Sequence, residues 1–489
     1  MDVILSGWAW LPTKELDRFA LDNLKQELTK TPKVARDYED MTESEPVEMY
    51  LERDGFIGVP RQYFLEKAVR QHEIHDERSA GLLIDQDRCS FLGATSGHER
   101  WDEQTKAIEE IRKEFGSGSA GGIVQAVPAW GKTAFAIRLI CSLGRKTFIG
   151  VHKEFLVEQW KLRLEKFAPY LRLGVWQGKK EEVEDRDVVI GMIQTLAKRD
   201  VEKEVADQFG LCIWDEVHRV GARTWGTVPP KFNPRFHMGL SARPQRADRM
   251  EDVFLWLIGP VLFKATYQTP VPNIYRIPTP YVNPEWIRKY EADPTKKKLM
   301  YPTYLKAMVA SQVRNKRIVD ELEKILRAKV GRKIVVMSER IEHLEDMASM
   351  LRERDMVEKI PDLSTGFIHS KIGQKARKEA ERKRVVFSTF QMLDEGFDIS
   401  ALDTLMMTTG RAYVEQAIGR IRRECVVGRT VTETDCKYYC PWRVGRCKSK
   451  PKPIVVEFTD PEVSAVMGKV KYRSRYYREI GATVLEAKG

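Results

Sequence analysis

Short apolar runs alternate with amphipathic stretches over most of this chain, and that alternation limits its fold more than any other feature. The first series of runs is Ile123–Val127, Thr147–Val151, Val188–Met192, Leu211–Trp214 and Met238–Leu240. After a proline-rich join, a second series follows: Ile334–Met337, Gly366–His369, Val385–Ser388, Leu405–Thr408 and Ile454–Phe458. Continuous apolar strands separated by helices are typical of buried parallel sheets. Two such series predict two α/β domains in tandem.

The segment before the first series has a different pattern. Apolar residues at helical spacing lie between Leu16 and Leu28, and a run from Gly55 to Arg61 resembles a strand that enters a turn. These signals predict a small mixed α/β accessory domain. We therefore expect an N-terminal domain at residues 1–95, a first α/β domain at 96–266 and a second at 267–489.

The charge is unevenly distributed along the 489 residues. The whole chain carries a net charge of +11, yet residues 1–90 hold 12 Lys/Arg against 19 Asp/Glu, a net of −7. The remaining residues therefore carry the basic excess. Such an excess indicates a polyanionic partner, although a generic basic surface is the alternative.

Membrane and secretion signals are not indicated by the sequence. No run of 18 apolar residues occurs, and the first residues lack a basic segment ahead of an apolar one. We expect a protein without membrane contact that works in the cytoplasm, or in the host cytoplasm if a phage encodes it. Its thiols should then be reduced.

A strand, a loop and a helix follow one another around residues 123–143, the context that a phosphate-binding loop requires. The residues predicted to hold a nucleotide there are Ala129, Trp130, Gly131, Lys132, Thr133 and Ala134. Lys132 would neutralise the β- and γ-phosphate oxygens, and the Thr133 hydroxyl would bind Mg²⁺. The loop departs from the general pattern, since Ala126 replaces the first glycine and Trp130 stands where small residues are usual.

Two acidic residues, Asp215 and Glu216, directly follow an apolar run. Paired carboxylates at the carboxyl end of a parallel strand lie where such sheets bind ligands. Asp215 is predicted to reach the Mg²⁺ shell, and Glu216 to orient or deprotonate the attacking water. His218 either couples this site to other parts or is an ordinary surface histidine.

A third catalytic segment starts at Gln416. Arg420 and Arg423 are three residues apart and so share one helix face. Guanidinium groups from a second domain can stabilise charge on a transferring phosphoryl group. We predict that Gln416, Arg420 and Arg423 act in catalysis.

Together these segments resemble those of superfamily 2 helicases of the DEAD/DEAH-box-like class, closest to the XPB-like and phage UvsW-like branch used in DNA repair and recombination. The resemblance covers about residues 98–489. It implies that both α/β domains are RecA-like P-loop domains and that ATP and Mg²⁺ are the cofactors. The segment Ser241-Ala242-Arg243 is similar to motif III, with Arg243 in place of the usual threonine.

The resemblance also assigns further residues. Gln104 is similar to the glutamine that recognises adenine, although its spacing from Arg100 is one residue longer than usual. Gly396 and Asp398 fall in motif V and are implied in nucleotide binding. The residues implied in nucleic-acid contact are His152, Lys153, Gln194, Thr195, Ser388 and Thr389.

Two C-terminal features remain open. Cys425, Cys436, Cys440 and Cys447 lie in a predicted insertion at about 425–450. They could bind zinc, but we favour a metal-free loop that contacts nucleic acid. Residues 469–478 interleave basic and aromatic side chains, which fits strand binding or simply a helix that closes the second domain.

The sequence therefore predicts an ATP-dependent DNA helicase or translocase that remodels repair and recombination intermediates. Its expected partner is DNA as a single strand, fork or junction, and the sequence does not identify protein partners. The preference for DNA over RNA follows from the resemblance alone. Two alternatives stay open: an RNA helicase with the same catalytic machinery, or a nucleic-acid clamp with little turnover.

Overall fold

The computed structural model describes residues 2–32, 45–67, 73–219, 226–244, 248–293, 295, 299–328, 332–354, 360, 363–394, 399, 401–422 and 451–487. The predicted sites at Gly396, Asp398, Arg423 and the four clustered cysteines lie outside these residues. The chain divides into two compact units, Met1–Tyr267 and Gln268–Gly489.

The first unit begins with a small mixed sheet. Its strands and those of a short hairpin are β1 (Asp2–Leu5), β2 (Trp8–Pro12), β3 (Thr29–Lys30), β4 (Val47–Glu48), β5 (Leu51–Arg53), β6 (Phe56–Pro60) and β7 (Glu73–Asp76). The strand order is β5-β6-β2-β1-β7, with β3 and β4 paired separately. Two helices accompany the sheet, α1 (Arg18–Leu28) and α2 (Arg61–Lys67). The carboxylate of Asp17 caps α1 by accepting from the Ala20 amide.

The main sheet of the first unit has eight strands among the described residues. They are β8 (Gly121–Gln125), β9 (Thr147–Val151), β10 (Leu173–Gln177), β11 (Lys180–Glu181), β12 (Val188–Met192), β13 (Leu211–Asp215), β14 (Phe236–Ser241) and β15 (Val261–Lys264). Their order is β11-β10-β12-β9-β13-β14-β8-β15. Every pairing is parallel except that of β10 with β11. The carboxyl ends of the parallel strands therefore meet at one edge.

Helices cover both faces of this sheet. They are α3 (Glu99–Gly116), α4 (Lys132–Leu143), α5 (Glu154–Phe167), α6 (Ile193–Ala197), α7 (Lys203–Ala206) and α8 (Glu251–Ile258). Short 3-10 turns lie at Thr13–Glu15, Gln86–Arg88, Val217–Arg219 and Pro229–Lys231. On one face, residues of α3, α4 and α5 pack on the sheet around Ile137, Trp160 and Ile213.

The N-terminal sheet shares a core with the other face of the main sheet. Val3, Ile57 and Phe64 belong to the same buried cluster as Phe148 and Trp214. The fully buried guanidinium of Arg61 adds two hydrogen bonds to this junction. Because one continuous core joins the two sheets, the N-terminal segment packs as part of the first unit.

Arg61 anchors the N-terminal segment electrostatically as well. Its guanidinium is 2% exposed and donates to the carbonyls of Pro234 and Ala120 at 2.8 and 3.1 Å. Burial and the nearby charge of Arg78 lower the pKa of Arg61 to about 9. A buried cation held by two carbonyls is costly to leave without them, so this contact fixes where α2 meets the main sheet.

The second unit contains a seven-stranded parallel sheet among its described residues. Its strands are β16 (Asn273–Pro278), β17 (Ile334–Ser338), β18 (Thr365–Ile368), β19 (Val385–Thr389), β20 (Thr404–Met407), β21 (Ile454–Thr459) and β22 (Thr483–Glu486). Their order is β18-β19-β17-β20-β21-β16-β22. The prediction of two α/β domains built on parallel sheets is confirmed.

The helices of the second unit are α9 (Glu285–Glu291), α10 (Tyr301–Val309), α11 (Gln312–Arg327), α12 (Ile341–Arg352), α13 (Gln374–Ala380), α14 (Phe390–Asp394), α15 (Glu415–Ile421) and α16 (Ser464–Glu479). Two buried clusters cover the two faces of the sheet, one around Ile418 and Tyr477, the other around Leu322 and Met347. In the described part of the chain, none of the helices is both long and apolar enough to cross a membrane.

Candidate functional site

The predicted phosphate loop connects β8 to α4. Gly131 precedes α4 with φ 99°, a left-handed conformation that glycine adopts without strain. Ala129 has φ 73°, which is unusual for a residue with a Cβ. The Lys132 ammonium folds back and donates to the Ala126 carbonyl at 3.1 Å. The loop thus places a helix N-terminus and a lysine together, the arrangement that binds phosphate groups.

Trp130 fills a position inside the fold beneath this loop. Its side chain is fully buried and lies against the rings of Phe135 and Phe263. Its indole N–H donates to a carboxylate oxygen of Glu103 at 2.5 Å. Glu103 also accepts from the amides of Thr266 and Tyr267. The large side chain therefore stabilises the loop from below and leaves the phosphate-facing side to backbone.

Residues of α3 hold the loop from a second direction. The Gln104 amide donates to the Trp130 carbonyl at 2.6 Å, and the Arg100 guanidinium donates to the Ala129 carbonyl at 3.1 Å. Gln104 is only 4% exposed. These contacts place Gln104 at the loop, as its predicted role requires, while its recognition of adenine stays a prediction.

Asp215 and Glu216 lie at the carboxyl end of β13, two strands from β8 in the same sheet. Burial and the adjacent Glu216 charge raise the pKa of Asp215, while the Trp160 N–H and the Lys132 ammonium oppose that rise. Glu216 has φ 51°, a strained conformation for a residue other than glycine. The strand end thus holds two carboxylates close together next to the loop lysine.

Trp160 is a residue of the site to which the sequence analysis assigned no role. It extends from α5, is 1% exposed, and its indole N–H donates to Asp215 Oδ2 at 3.0 Å. The other oxygen, Oδ1, accepts from the Glu216 amide at 3.0 Å. Both oxygens of Asp215 are therefore oriented by donors, which fixes the plane of the carboxylate.

His218 links Glu216 to the end of β14. Its Nδ1 lies 3.5 Å from Glu216 Oε2 and 3.1 Å from the Ser241 hydroxyl. The Ser241 oxygen also accepts from the Arg243 amide at 3.1 Å. A continuous polar chain runs from the predicted water-activating carboxylate to the motif III segment. This geometry favours the coupling role for His218 over that of an ordinary surface histidine.

The residues at this edge fit a magnesium ion by their chemistry. Mg²⁺ prefers oxygen ligands and is bound through one or two carboxylates together with phosphate oxygens. Asp215 offers a carboxylate and Thr133 offers a hydroxyl at the start of α4. Burial and Glu216 raise the pKa of Asp215, and a cation bound there would favour its ionised form. Among the described residues, no cluster of three or more His, Cys, Asp or Glu side chains forms a separate metal site.

The nucleic-acid residues predicted in the first unit lie at the same edge of the sheet. His152 and Lys153 follow β9, and Gln194 and Thr195 follow the neighbouring strand β12. The Gln194 amide donates to the His152 carbonyl at 2.6 Å, which joins the two loops. The Thr195 hydroxyl accepts from the Gly178 amide at 3.0 Å and so holds the turn between β10 and β11.

In the second unit, the predicted residues occupy the ends of strands and α15. Ser388 is fully buried and its hydroxyl donates to the Ile368 carbonyl at 3.0 Å, while Thr389 is half-buried. Gln416 is exposed and Arg420 is half-buried. The intervening Arg422 is 3% exposed and donates to the Thr269 and Pro270 carbonyls. Arg422 thus anchors α15, a structural role that the sequence prediction did not include.

Comparisons with known proteins give a consistent class. Residues 98–246 match the sequence family described as type III restriction enzyme, res subunit. A protein of Acanthamoeba polyphaga mimivirus, named as an ATP-dependent RNA helicase, is 24% identical over 97% of this chain and 85% of its own length. The DNA 3'-5' translocase XPB2 of Sulfurisphaera tokodaii is 25% identical over 42% of this chain and 43% of its own length.

Among solved structures, a fragment described as an HsdR subunit of a type I restriction enzyme from Vibrio vulnificus has a TM-score of 0.53. It shares 17% identity and aligns over 83% of this chain and 71% of its own. That likeness bears on the fold alone. These comparisons support the resemblance to superfamily 2 helicases, and the chain is an ATP-dependent hydrolase of the helicase class, as the sequence predicted.

Proposed function

We propose that this protein is an ATP-driven DNA helicase or translocase that separates or remodels strands in repair and recombination intermediates. The observation that carries the proposal is the shared strand edge of the first unit. The phosphate loop, Asp215 and Glu216 lie at one part of it, and the joined loops of His152 and Gln194 lie at the neighbouring part. ATP hydrolysis and contact with the nucleic-acid strand would then take place at the edge of one rigid sheet.

Within this proposal each residue of the first unit has a separate task. The α4 N-terminus and Lys132 bind the phosphates, and Thr133 and Asp215 hold Mg²⁺, which when bound would neutralise developing phosphate charge. Glu216 orients or deprotonates the attacking water. Gln104 keeps the loop in place through the Trp130 carbonyl and recognises adenine.

The second unit supplies cationic charge in this proposal. Arg420 and Arg423 stabilise the negative charge that develops on the transferring phosphoryl group, and Gln416 lies on the same short helix as Arg420. Groups of this kind contribute about 10³ to 10⁵ in rate in phosphoryl-transfer enzymes. Gly396 and Asp398 complete the nucleotide contacts. Binding and release of ATP would then change how the two units act on one strand.

DNA is the proposed substrate because the archaeal relative is named as a DNA translocase and the basic excess lies outside residues 1–90. An RNA helicase is the second candidate, since the mimivirus relative that aligns with 97% of this chain is named as one. A clamp with little turnover is the third possibility left by the unusual phosphate loop.

The deciding experiment is ATP hydrolysis against matched nucleic acids. Single-stranded, duplex, forked and four-way-junction DNA would be compared with RNA of the same sequences at several salt concentrations. We expect the greatest stimulation by DNA that contains a single strand or a branch. Greater stimulation and unwinding with RNA would assign the second candidate, and tight binding without turnover would assign the clamp.

A further inference from the structure

The C-terminal helix α16 carries five Lys/Arg residues and a single acidic residue, Glu479. Two of the basic side chains point into the second unit. The Lys469 ammonium donates to the Gly410 carbonyl at 2.9 Å, and the Arg473 guanidinium donates to the Arg411 carbonyl at 2.5 Å. These two contacts fasten the loop that follows β20 onto α16.

The other three basic residues point away from the unit. Lys471, Arg475 and Arg478 are exposed and are spaced by four and three residues, so they share one helix face. Unlike Lys469 and Arg473, they are not needed to hold the loop. Their combined charge is therefore available to a polyanion.

An exposed aromatic ring lies beside this basic face. Tyr413 belongs to the loop that Lys469 and Arg473 fasten, and it is 57% exposed. Its ring contacts that of Tyr472 edge-on, with centroids 4.9 Å apart and an interplanar angle of 64°. Tyr472 therefore supports Tyr413, while more than half of the Tyr413 side chain stays exposed to solvent. A supported, solvent-facing ring next to cations is the combination that binds single-stranded nucleic acid.

The loop also connects to the predicted nucleic-acid residues of this unit. The Arg411 guanidinium lies 5.2 Å from the centre of the Phe390 ring, and Phe390 directly follows Thr389. Strands β19, β17 and β20 are parallel neighbours, so their carboxyl ends share one edge. A surface therefore continues from Thr389 across Arg411 to Tyr413 and α16.

We propose that Tyr413, Tyr472, Lys471, Arg475 and Arg478, which we call the C-terminal strip, bind a single-stranded segment of nucleic acid. The Tyr413 ring stacks on an unpaired base, and Lys471 and Arg475 contact the flanking phosphates. The inference rests on the proposed function only in taking nucleic acid as the partner. It adds a strand contact outside the motifs that the family resemblance assigned.

The test measures binding of a fluorescent single-stranded oligonucleotide and of a blunt duplex to the full chain. Tyr413→Ala should weaken single-strand binding about five-fold or more, whereas Tyr413→Phe should retain it, since stacking needs the ring. Lys471→Gln with Arg475→Gln should weaken binding and reduce the slope of log affinity against log salt by about 1 to 2. Blunt-duplex binding should be unaffected by Tyr413→Ala.

The matched control is Lys324→Gln with Arg327→Gln on α11, which removes the same charge from exposed positions near the amino ends of the strands. Single-strand binding by Tyr413→Ala and by the Lys471/Arg475 variant within two-fold of this control would overturn the inference. A wild-type protein that binds no nucleic acid would instead overturn the proposed function. Thermal unfolding of each variant verifies that the fold is retained.

Discussion

The indole N–H of Trp160 donates to a carboxylate oxygen of Asp215 across 3.0 Å, from a helix on one face of the sheet to the end of its central strand. Burial and Glu216 raise the pKa of that carboxyl group, and the Trp160 bond opposes the rise. Trp160 is therefore a positioning residue of the proposed site: its hydrogen bond favours the ionised form of Asp215, which the proposed Mg²⁺ contact requires.

Trp160→Phe should lower ATP turnover about ten-fold at neutral pH, since a hydrogen bond to a charged group contributes about 1.5 to 3 kcal/mol. The acid limb of the pH–rate profile should move to higher pH, because the pKa of Asp215 rises further without its donor. The half-saturating Mg²⁺ concentration should increase.

Trp176→Phe is the control for this change. Trp176 is also buried, and within the described part of the chain its indole N–H reaches no acceptor. The Trp176→Phe substitution should therefore leave the pH profile and the Mg²⁺ dependence of ATP turnover unchanged. Equal profiles for the Trp160 and Trp176 variants would show that Trp160 acts only through packing.

Glu103 and Trp130 should act as a pair on the phosphate loop. Trp130→Phe and Glu103→Gln each disturb the bond between them and should raise the KM for ATP several-fold. Their effects should be less than additive in the double variant, because both remove the same contact. Glu114→Gln, an exposed change on the same helix α3, should have no effect. Strict additivity would contradict the pairing.

The N-terminal segment should be required for a stable first unit. Deleting residues 2–76 removes Val3, Ile57 and Phe64 from the shared core and leaves Phe148 and Trp214 partly uncovered. We expect an insoluble or strongly destabilised protein, measured by soluble yield and thermal unfolding. A milder change, Arg61→Met, should lower stability by about 1 to 3 kcal/mol, since it leaves the Pro234 and Ala120 carbonyls without a donor. A truncated protein that unfolds at the wild-type temperature would show that the segment folds independently.

The sequence predicted where the candidate catalytic residues of the first unit lie, because local order determines their positions. A strand, a loop with Gly131-Lys132-Thr133 and a helix are adjacent in the chain, and so are the apolar run and the two acids at Asp215 and Glu216. The observed strand β8 begins and ends two residues before the apolar run, since the backbone from Ala126 onward already belongs to the loop.

Contacts between distant residues could not be predicted in this way. Trp160 is 55 residues from Asp215, and Glu103 is 27 residues from Trp130. Each pair forms only after helices pack on the sheet, and no spacing rule connects its members. The shared N-terminal core was not predicted from the sequence for the same reason. The apolar pattern of the segment indicates that its residues are buried, but it does not indicate which other residues they pack against.

A buried histidine in the second unit predicts a pH effect on stability. His343 is 1% exposed; its Nε2 lies 3.0 Å from Asn315 Oδ1 and its Nδ1 lies 2.9 Å from the Ser338 hydroxyl. Burial and the charge of Arg314 lower the pKa of His343 to about 3. The unfolded chain therefore binds a proton that the folded chain excludes.

The resulting stability is present above about pH 6.5 and is lost progressively as the pH falls toward 3. His343→Gln should reduce the slope of unfolding free energy against pH by about 1 kcal/mol per pH unit in that window. His75→Gln, at an exposed site, serves as the control. An unchanged slope in the His343 variant would contradict the burial of a neutral imidazole.

ATP hydrolysis by the wild-type protein, Lys132→Ala and Glu216→Gln, with and without single-stranded DNA, tests the central claim most directly. We expect the DNA to stimulate wild-type turnover by at least about ten-fold. Both variants should lose turnover, since Lys132 is proposed to bind the phosphates and Glu216 to activate the attacking water. Glu216→Gln should still bind ATP, because Lys132 and the α4 N-terminus remain. Hydrolysis by Lys132→Ala at the wild-type rate, or wild-type turnover that ignores nucleic acid, would contradict the assignment.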